Sequence, residues 1–356
     1  MKSTAKSSAA SSTIIDVANE AGVSMKTVSR VINREPNVAA QTRDRVLEAI
    51  NRLGYQRNVF ARGLRAERSL FLGLMYQNPK GDYPAGVLHG ALAQCRRHGY
   101  HLAVEVLDGD DIIKHAERFL TQTRLDGVLT TPPICDNEKI LATLAQFNVP
   151  YVRISPYQPH ADELFIGIDD RAAAREVMSY LMSIGHSRIG FIGGIPGHAA
   201  TKERLGGYRD GLEAAGIAID KALITDGNFD FMSGVEGAQK LLSLSEPPTA
   251  IFASNDEAAA GVLSYAHEHG VSVPDDLSVC GFDGGTISNV VWPRLTTVMQ
   301  PIRRLGEQAV EALIEAEQDR AQTGREKNQA AAGNARETGP IILPHNLVIG
   351  GSTAAI

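Results

Sequence analysis

The stretch TIIDVANEAGVSMKTVSRVIN (13–33) decides how the chain begins. Ile14, Val17, Ala18 and Ala21 recur at three- and four-residue spacing, which puts them on one face of a short helix. Gly22 breaks that run, Ser24 offers an oxygen to cap the next, and Val28, Val31 and Ile32 make a second apolar stripe. The short turn Ala21-Gly22-Val23-Ser24 between the two is that of a helix-turn-helix. A third helix is expected from about Thr42 to Leu53, with Val46, Leu47, Ile50 and Leu53 inward and Gly54 as its stop.

Charge is distributed unevenly around this unit. Residues 1–68 hold 12 Lys/Arg against 6 Asp/Glu, a net of +6, whereas the rest of the 356 residues hold 23 against 35, a net of −12. Clustered cations neutralise phosphates, so the head rather than the body is expected to meet a polyanion. The start of a second helix in this motif enters the major groove, where base edges carry a unique code. Met25, Lys26 and Arg30 project there, Lys26 and Arg30 suited to guanine acceptors and Met25 to a thymine methyl. Ser24, Thr27, Ser29, Asn33 and Thr42 are short polar residues suited to phosphate oxygens, and Thr13 and Tyr55 join the DNA-facing set. The alternative is a helical hairpin with a solvated basic face.

Beyond Arg68 short apolar runs alternate with amphipathic stretches. Strands are expected at Phe71–Met75, Tyr100–Val106, Gly127–Thr131, Tyr151–Ile154, Ile189–Ile192, Ala250–Ala253 and Leu277–Gly281. Helices are expected at Gly86–His98, Asp111–Thr123, Arg171–Ile184, Gly206–Ala215, Ser233–Leu242, Asp256–His269 and Arg303–Glu317. That alternation reads as βαβ units with parallel sheets, an α/β class, and its length calls for two lobes. The polar segment 319–339 is expected to be a flexible surface stretch before a final strand at Ile341–Ile349.

The head segment TIIDVANEAGVSMKTVSRVINREPNV, with TRDRVLEAINRLGY and NVFARGL after it, resembles the lactose-repressor/galactose-repressor family of bacterial transcription regulators. Later stretches carry the resemblance to Thr353: GHSRIGFIGG (185–194), RLGGYRDGL (204–212), FASNDEAAAG (252–261), PDDLSVCGFDG (274–284) and PRLTTVMQP (293–301). The resemblance implies an all-α helix-turn-helix headpiece (13–57), after a disordered tail (1–12), and a hinge helix and linker (58–68). It also implies a two-lobed periplasmic-binding-protein-like core. The first lobe is expected to span 69–168 with 298–326, and the second 169–297 with 340–353. Asn58, Ala61 and Leu64 then belong to a hinge that folds in the minor groove, where Ala61 permits close approach and Leu64 wedges open a base step. Arg57 stands where a proline commonly precedes the Asn, and Gly63 weakens the short helix by ~1 kcal/mol. A hinge so composed is expected to be more disordered when free of DNA.

Two lobes of parallel sheet make a cleft at the carboxyl ends of their strands. Sugars need planar polar groups for paired hydroxyls and an aromatic face for the ring. Arg153, Arg204, Asn255 and Asp283 fit the first need, and Tyr83, Phe229 and Trp292 the second. Resemblance points to Arg204, Phe229, Asn255, Asp283 and Gln300 as effector positions, with Arg204 on the opening turn of its helix. Each has a plainer reading: Asn255-Asp256 as a helix cap, Trp292 as core. Ser155 replaces an acidic residue of some relatives and Gly350 an arginine of the terminal strand. The expected partners are near-palindromic double-stranded operator DNA, a mono- or oligosaccharide effector and a second copy of the chain, since no heptad segment for a tetramer follows Thr353. A purine- or nucleoside-responsive regulator and a sugar-binding protein without gene regulation remain alternatives.

Enzymatic signatures are missing. There is no Gly-x-Ser-x-Gly elbow or Walker loop, and Ile192 breaks the Gly-x-Gly-x-x-Gly spacing in Gly190–Gly197. His98/His101 and His267/His269 lie at expected helix ends beside Gly99 and Gly270, which suits contact with the last carbonyls better than a metal. No cofactor is expected. Cys95, Cys135 and Cys280 are odd in number and far apart, which fits a reducing cytoplasm. No run approaches the ~20 apolar residues of a membrane span, and Met1–Ser12 lacks the apolar core of a signal peptide.

Overall fold

Thr13 starts the first helix by a reciprocal cap: its hydroxyl accepts the Asp16 N–H at 3.3 Å and its own N–H donates to the Asp16 carboxylate at 2.7 Å. The Thr13 N–H and hydroxyl, both donating to the Asp16 carboxylate, hold that carboxyl below its ordinary pKa. In the computed structural model, which describes residues 12–32, 35–55, 69–77, 81–109, 111–157, 164–323 and 339–356 (the side chains of 317–323 excepted), α1 spans Ile14–Ala21. Gly22 ends it in the left-handed conformation, φ 61°, which a β-carbon disfavours. Ser24 then accepts the Thr27 N–H at 3.1 Å to open α2 (Met25–Ile32), and α3 (Ala40–Leu53) closes the unit.

Val17, Ala18, Ala21, Val28, Val31, Val46 and Ala49 form the head's core. Val46 was expected there, and Ile50 and Leu53 pack at its edge. Leu47 faces solvent instead, because Ala49 takes the inward position on that turn. The head and residues 69–356 are separate units.

The first lobe runs β1 (Phe71–Tyr76), α4 (Asp82–His98), β2 (His101–Val106), α5 (Ile112–Gln122), β3 (Gly127–Thr130), α6 (Glu138–Gln146), β4 (Tyr151–Ile154) and β5 (Phe165–Gly167). The second runs α7 (Asp170–Ser183), β6 (Ile189–Ile192), α8 (Ala199–Ala214), β7 (Ile224–Thr225), α9 (Phe231–Leu242), β8 (Ala250–Ala253), α10 (Asp256–Glu268), β9 (Ser278–Asp283), α11 (Thr286–Val290) and β10 (Thr296–Met299). From there α12 (Ile302–Thr323) packs on α4 of the first lobe. Two short strands follow, β11 (Ile341–Ile342) and β12 (Asn346–Val348). The sheets are ordered β11-β5-β4-β3-β1-β2 and β12-β10-β9-β8-β6-β7. Their pairings are parallel except β10 with β12. Strands such as Val128–Leu129 and Ile251–Phe252 are wholly buried, because helices cover both faces.

Three sequence boundaries need correction. The expected strand Ile341–Ile349 is two strands in different sheets: Ile341–Ile342 pairs with β5 in the first lobe, and only Asn346–Val348 joins the second. Pro344 between them has no N–H for a ladder. Val298 and Met299 pair with β9, so the return to the first lobe comes after them rather than at 298. The helix expected to stop at Glu317 continues to Thr323, through residues with good helix propensity, so 319–323 is not part of a loop; 324–338 lie outside the described residues. The cap Asn137, which accepts the N–H groups of Lys139 and Ile140, starts α6, a helix the sequence reading passed over.

In both sheets the chain moves from a central strand to an edge and returns to the other side, β1-β2-β3 in one and β6-β7-β8 in the other. Each reversal leaves a crevice at the carboxyl ends of β1 and β3, or of β6 and β8. Gly234 of α9 and Gly261 of α10 let those helices touch: a β-carbon on Gly234 would lie 2.0 Å from the Ala258 carbonyl oxygen. Gly234→Ala therefore forces α9 and α10 apart. The core's stability in chemical denaturation is expected to fall by ~1–3 kcal/mol; an unchanged midpoint would contradict this packing.

Candidate functional site

Two surfaces collect the polar residues singled out by sequence. On the head, Met25, Lys26 and Arg30 are exposed along α2, with Met25 at 53%. Arg30 lies 3.6 Å from the Glu35 carboxylate, an exposed pair of little energetic weight. Ser24 and Thr13 are occupied as helix caps, and Ser29, Thr27 and Thr42 are half-buried. Tyr55 packs at the edge of the head's core and donates its N–H to Ile50 O at 3.0 Å. Asn33, Asn58, Ala61 and Leu64 lie outside the described residues.

Between the lobes of residues 69–356 opens a cleft of about 330 Å³. The segments after β1 (Gln77), β3 (Pro132, Pro133), β6 (Ile195, His198) and β8 (Asn255) line it, which are the strand ends at the two crevices. Tyr83, Arg204, Phe229, Asn255, Asp283 and Gln300 are all brought together there.

Arg204 is the centre of the cleft wall. It is 4% exposed and sits in the second turn of α8, which begins at Ala199, seven residues before the helix start expected from sequence. The cap is His198, an unusual cap residue, whose Nδ1 accepts the Ala200 N–H at 3.3 Å. Arg204 Nε donates to Asp170 Oδ1 at 2.8 Å, and Nη1 donates to the Ser254 carbonyl and lies 3.4 Å from Asp283 Oδ1. Its guanidinium carbon stands 3.6 Å from the centre of the Phe282 ring. Nη2 makes no hydrogen bond among the described residues.

Asp283 ends β9 with φ 105°, held there by Gln300, whose Nε2 donates to its carboxylate at 2.7 Å and whose N–H donates to its carbonyl at 3.1 Å. Asn255 caps α10 through its oxygen, to Ala258 N at 3.0 Å, and donates its amide to Phe229 O at 2.9 Å. The capping role foreseen for it is thus real, and it lines the cleft as well. Phe229, with φ 56°, lays its ring over Gly194, where a β-carbon would come within 2.0 Å of it, and meets the His198 ring edge-on at 5.1 Å. Tyr83 bonds Ser155 at 3.0 Å.

Two expected members are elsewhere. Trp292 is 91% exposed, neither core nor cleft. Arg153 is buried but turns to the segment below the cleft: Nε donates to Cys135 O at 2.6 Å and Nη2 to Asp136 at 2.7 Å. Its position after an apolar run on β4 looked like a strand-end ligand, but its partner carboxylate lies in the Ile134–Asp136 turn beside that strand.

Sequence reading missed Asp170, Glu257 and His198, and it left Asp82 and Asp256, polar residues that follow strand-like runs, out of the effector set. Asp82 of the first lobe accepts the Thr286 N–H of the second, and the buried Asp256 accepts from Thr297 at 2.5 Å and Gly285 N at 2.9 Å. Acidic residues at helix starts gave no signal beyond capping. Burial lifts Asp256 to about 8, helped by the Asp283 charge. Burial lifts Asp283 to about 6, with Arg204 opposing. Burial lowers His198 to about 4, aided by Arg204, so at neutral pH its ring is uncharged and, with Nδ1 accepting, carries its proton on Nε2.

The comparisons agree with this architecture. Residues 13–58 match the model of bacterial regulatory proteins of the lacI family, and 178–353 that of the periplasmic binding protein-like domain. The HTH-type transcriptional regulator DegA of Bacillus subtilis (strain 168) is 32% identical over 348 residues, covering 97% of this chain and 98% of its own. Catabolite control protein A of Priestia megaterium is 34% identical over 305 residues, 85% and 91% of the two chains. Among solved structures, the lac repressor dimer bound to operator and the anti-inducer ONPF matches with TM-score 0.80 at 26% identity, covering 97% of this chain and 100% of that one. The transcriptional regulator CelR–cellobiose complex matches at 0.70 and 28%, covering 96% and 99%. A helical DNA-binding head on a two-lobed ligand-binding core defines a transcriptional regulator. The chain belongs to the lacI family of bacterial regulatory proteins. Among the described residues no helix is long and apolar enough to cross a membrane.

The raised carboxyl of Asp256 has a sign. The folded chain keeps its proton at pH values where an unfolded aspartate, near ~3.9, has lost it, so its contribution to stability is full below that value and is lost as pH rises toward about 8. Asp256→Asn, which carries no titrating group, should therefore gain in melting temperature relative to the parent as pH rises from about 5 to about 8. A difference that stays flat across that range would contradict the assignment.

Proposed function

We propose that this regulator holds a carbohydrate in the inter-lobe cleft and reads operator DNA through α2, the two linked by the closure of the lobes. The observation that carries the reading is the pairing of an aromatic face, Phe229, with convergent planar polar groups, Arg204, Asp170, Asp283 and Asn255. Vicinal hydroxyls are both donors and acceptors; the carboxylates take their protons while Arg204 Nη2 and His198 Nε2 donate to their oxygens. The ring of a pyranose stacks on Phe229. The similarity to a cellobiose-bound regulator supports the same chemistry.

The cleft works by binding rather than turnover. In the cytoplasm, a homodimer presents two copies of α2 to the half-sites of a near-palindromic operator, with Lys26 and Arg30 at base edges and Met25 at a thymine methyl. Ser24, Thr27, Ser29, Asn33, Thr42, Thr13 and Tyr55 position the head on the backbone, while Asn58, Ala61 and Leu64 serve the minor groove. On DNA, Arg30 exchanges its exposed Glu35 partner for a base edge.

Two substitutions separate sensing from reading. Arg204→Ala would strand Asp170 and Asp283 beside each other without their cation, a loss worth ~3–5 kcal/mol of stability. Arg204→Lys keeps the charge but loses the planar fork. It is expected to fold and bind operator while its affinity for the neutral sugar that stabilises the parent falls ~10-fold or more, the worth of one hydrogen bond to a charged group. Calorimetric titration of both proteins is the check, and equal affinities would remove Arg204 from the site. Arg30→Ala should cost ~1–3 kcal/mol on operator and relax specificity at one base pair. An equal loss on operator and on random DNA would make Arg30 a phosphate contact.

A further inference from the structure

The cleft's electrostatics speak to what it refuses. The Arg204 guanidinium lines the cleft, and its charge is already met by Asp170 at 2.8 Å and Asp283 at 3.4 Å. Asp82 and Glu257 line the same space beside the protonated Asp256, and among the described residues Arg204 is its only charged cation, because His198 is neutral. Burial and the neighbouring Asp82 raise the Glu257 carboxyl, a sign that negative charge is crowded there.

We propose that the cleft admits uncharged polyhydroxyl ligands and refuses their phosphorylated or carboxylated forms, with Asp170 the residue that sets this choice by neutralising Arg204. The inference rests on the carbohydrate reading and sharpens it. A phosphate brought to Arg204 would displace neither carboxylate without leaving a buried charge unpaired, and would face both if it displaced none. A hydroxyl pays no such penalty: it donates to a carboxylate and accepts from Nη2 with no net charge added. Asp170 opens α7 directly after the chain crosses from the first lobe, so it is fixed by the fold and not by a mobile loop. It bonds Arg204 through Nε, while the Phe282 ring lies against the guanidinium, and Nη2 keeps its hydrogens for a ligand.

Asp170→Asn removes one of the two compensating charges and keeps the side chain's shape and its acceptor oxygen. It should relax the refusal of anions while leaving Arg204 in place.

The experiment is a thermal-shift and calorimetric panel built from matched pairs: glucose, galactose, cellobiose and maltose with their 6-phosphates or uronic acids, and adenosine and guanosine with their 5′-monophosphates. Charge selection is read within pairs and ligand class between pairs, so the two claims fail separately. In the parent protein a neutral sugar is expected to bind at least ~100-fold more tightly than its charged partner, and in Asp170→Asn that ratio is expected to shrink ~10-fold or more. A charged member that binds the parent as tightly as its neutral partner overturns the inference and leaves a sugar effector standing. Binding confined to the nucleosides, with their monophosphates refused, overturns the carbohydrate reading and upholds the charge rule. Stabilisation by no member contradicts both. Should Asp170→Asn fail to fold, the parent's own within-pair ratios still decide.

Discussion

The buried guanidinium of Arg204 is the constraint around which the core is arranged. A cation taken out of water costs several kcal/mol unless it is paired and hydrogen-bonded, so its partners must arrive together. They come from three separate places: Asp170 at the start of α7, the Ser254 carbonyl after β8, and the end of β9, which brings both the Asp283 carboxylate and the Phe282 ring. Each is brought there only when the second sheet is complete. Asp170 follows one of the chain's passages between lobes, and Gln300, which fixes Asp283, lies on another. The group that holds the second lobe's strand ends together thus also touches the segments where the chain passes between the lobes. Coupling between two sites requires a ligand contact that differs between states, and under the proposed function Arg204 and Asp283 stand where such a contact meets those segments.

Asp82 adds a second tie across the cleft. Its carboxylate, on the first lobe, sits on the N-terminal N–H of α11 in the second, where helix donors are otherwise unmatched. The contact exists only while the lobes are as close as they are here. Glu257 stands near it, and burial together with the Asp82 charge raises its carboxyl, so bringing the lobes together sets like charges side by side.

Much of this was legible in the sequence because it is periodic or capped. The head's stripes at Val17, Ala21, Val28 and Val31 and its stops at Gly22 and Gly54 needed no tertiary information. The apolar runs Tyr151–Ile154, Ile189–Ile192 and Ala250–Ala253 gave strand bounds that the structure shares, since a strand buried on both faces has no alternative pattern. What escaped was set by contacts distant in sequence. The start of α8 was hidden because a histidine, not a serine or aspartate, caps it, and that moved Arg204 from the opening turn into the second. Arg153 was misassigned because a strand-end arginine looks the same whether its carboxylate is a ligand's neighbour or Asp136. Trp292 looked like an aromatic platform, yet it stands in solvent. Asp170 and Asp82 carry cleft chemistry in positions where an acidic residue usually means only a helix start.

The central claim is that cleft and head share one free energy. Linkage makes it a reciprocal quantity: the factor by which ligand changes operator affinity must equal the factor by which operator changes ligand affinity. The direct measurement is the dissociation constant of the neutral effector with and without saturating operator, set beside the operator constant with and without saturating effector. If cleft and head are coupled, as the account predicts, the two factors are equal and both differ from one. An effector affinity indifferent to operator would contradict it, and would leave the cleft a binding site with no hold on the DNA.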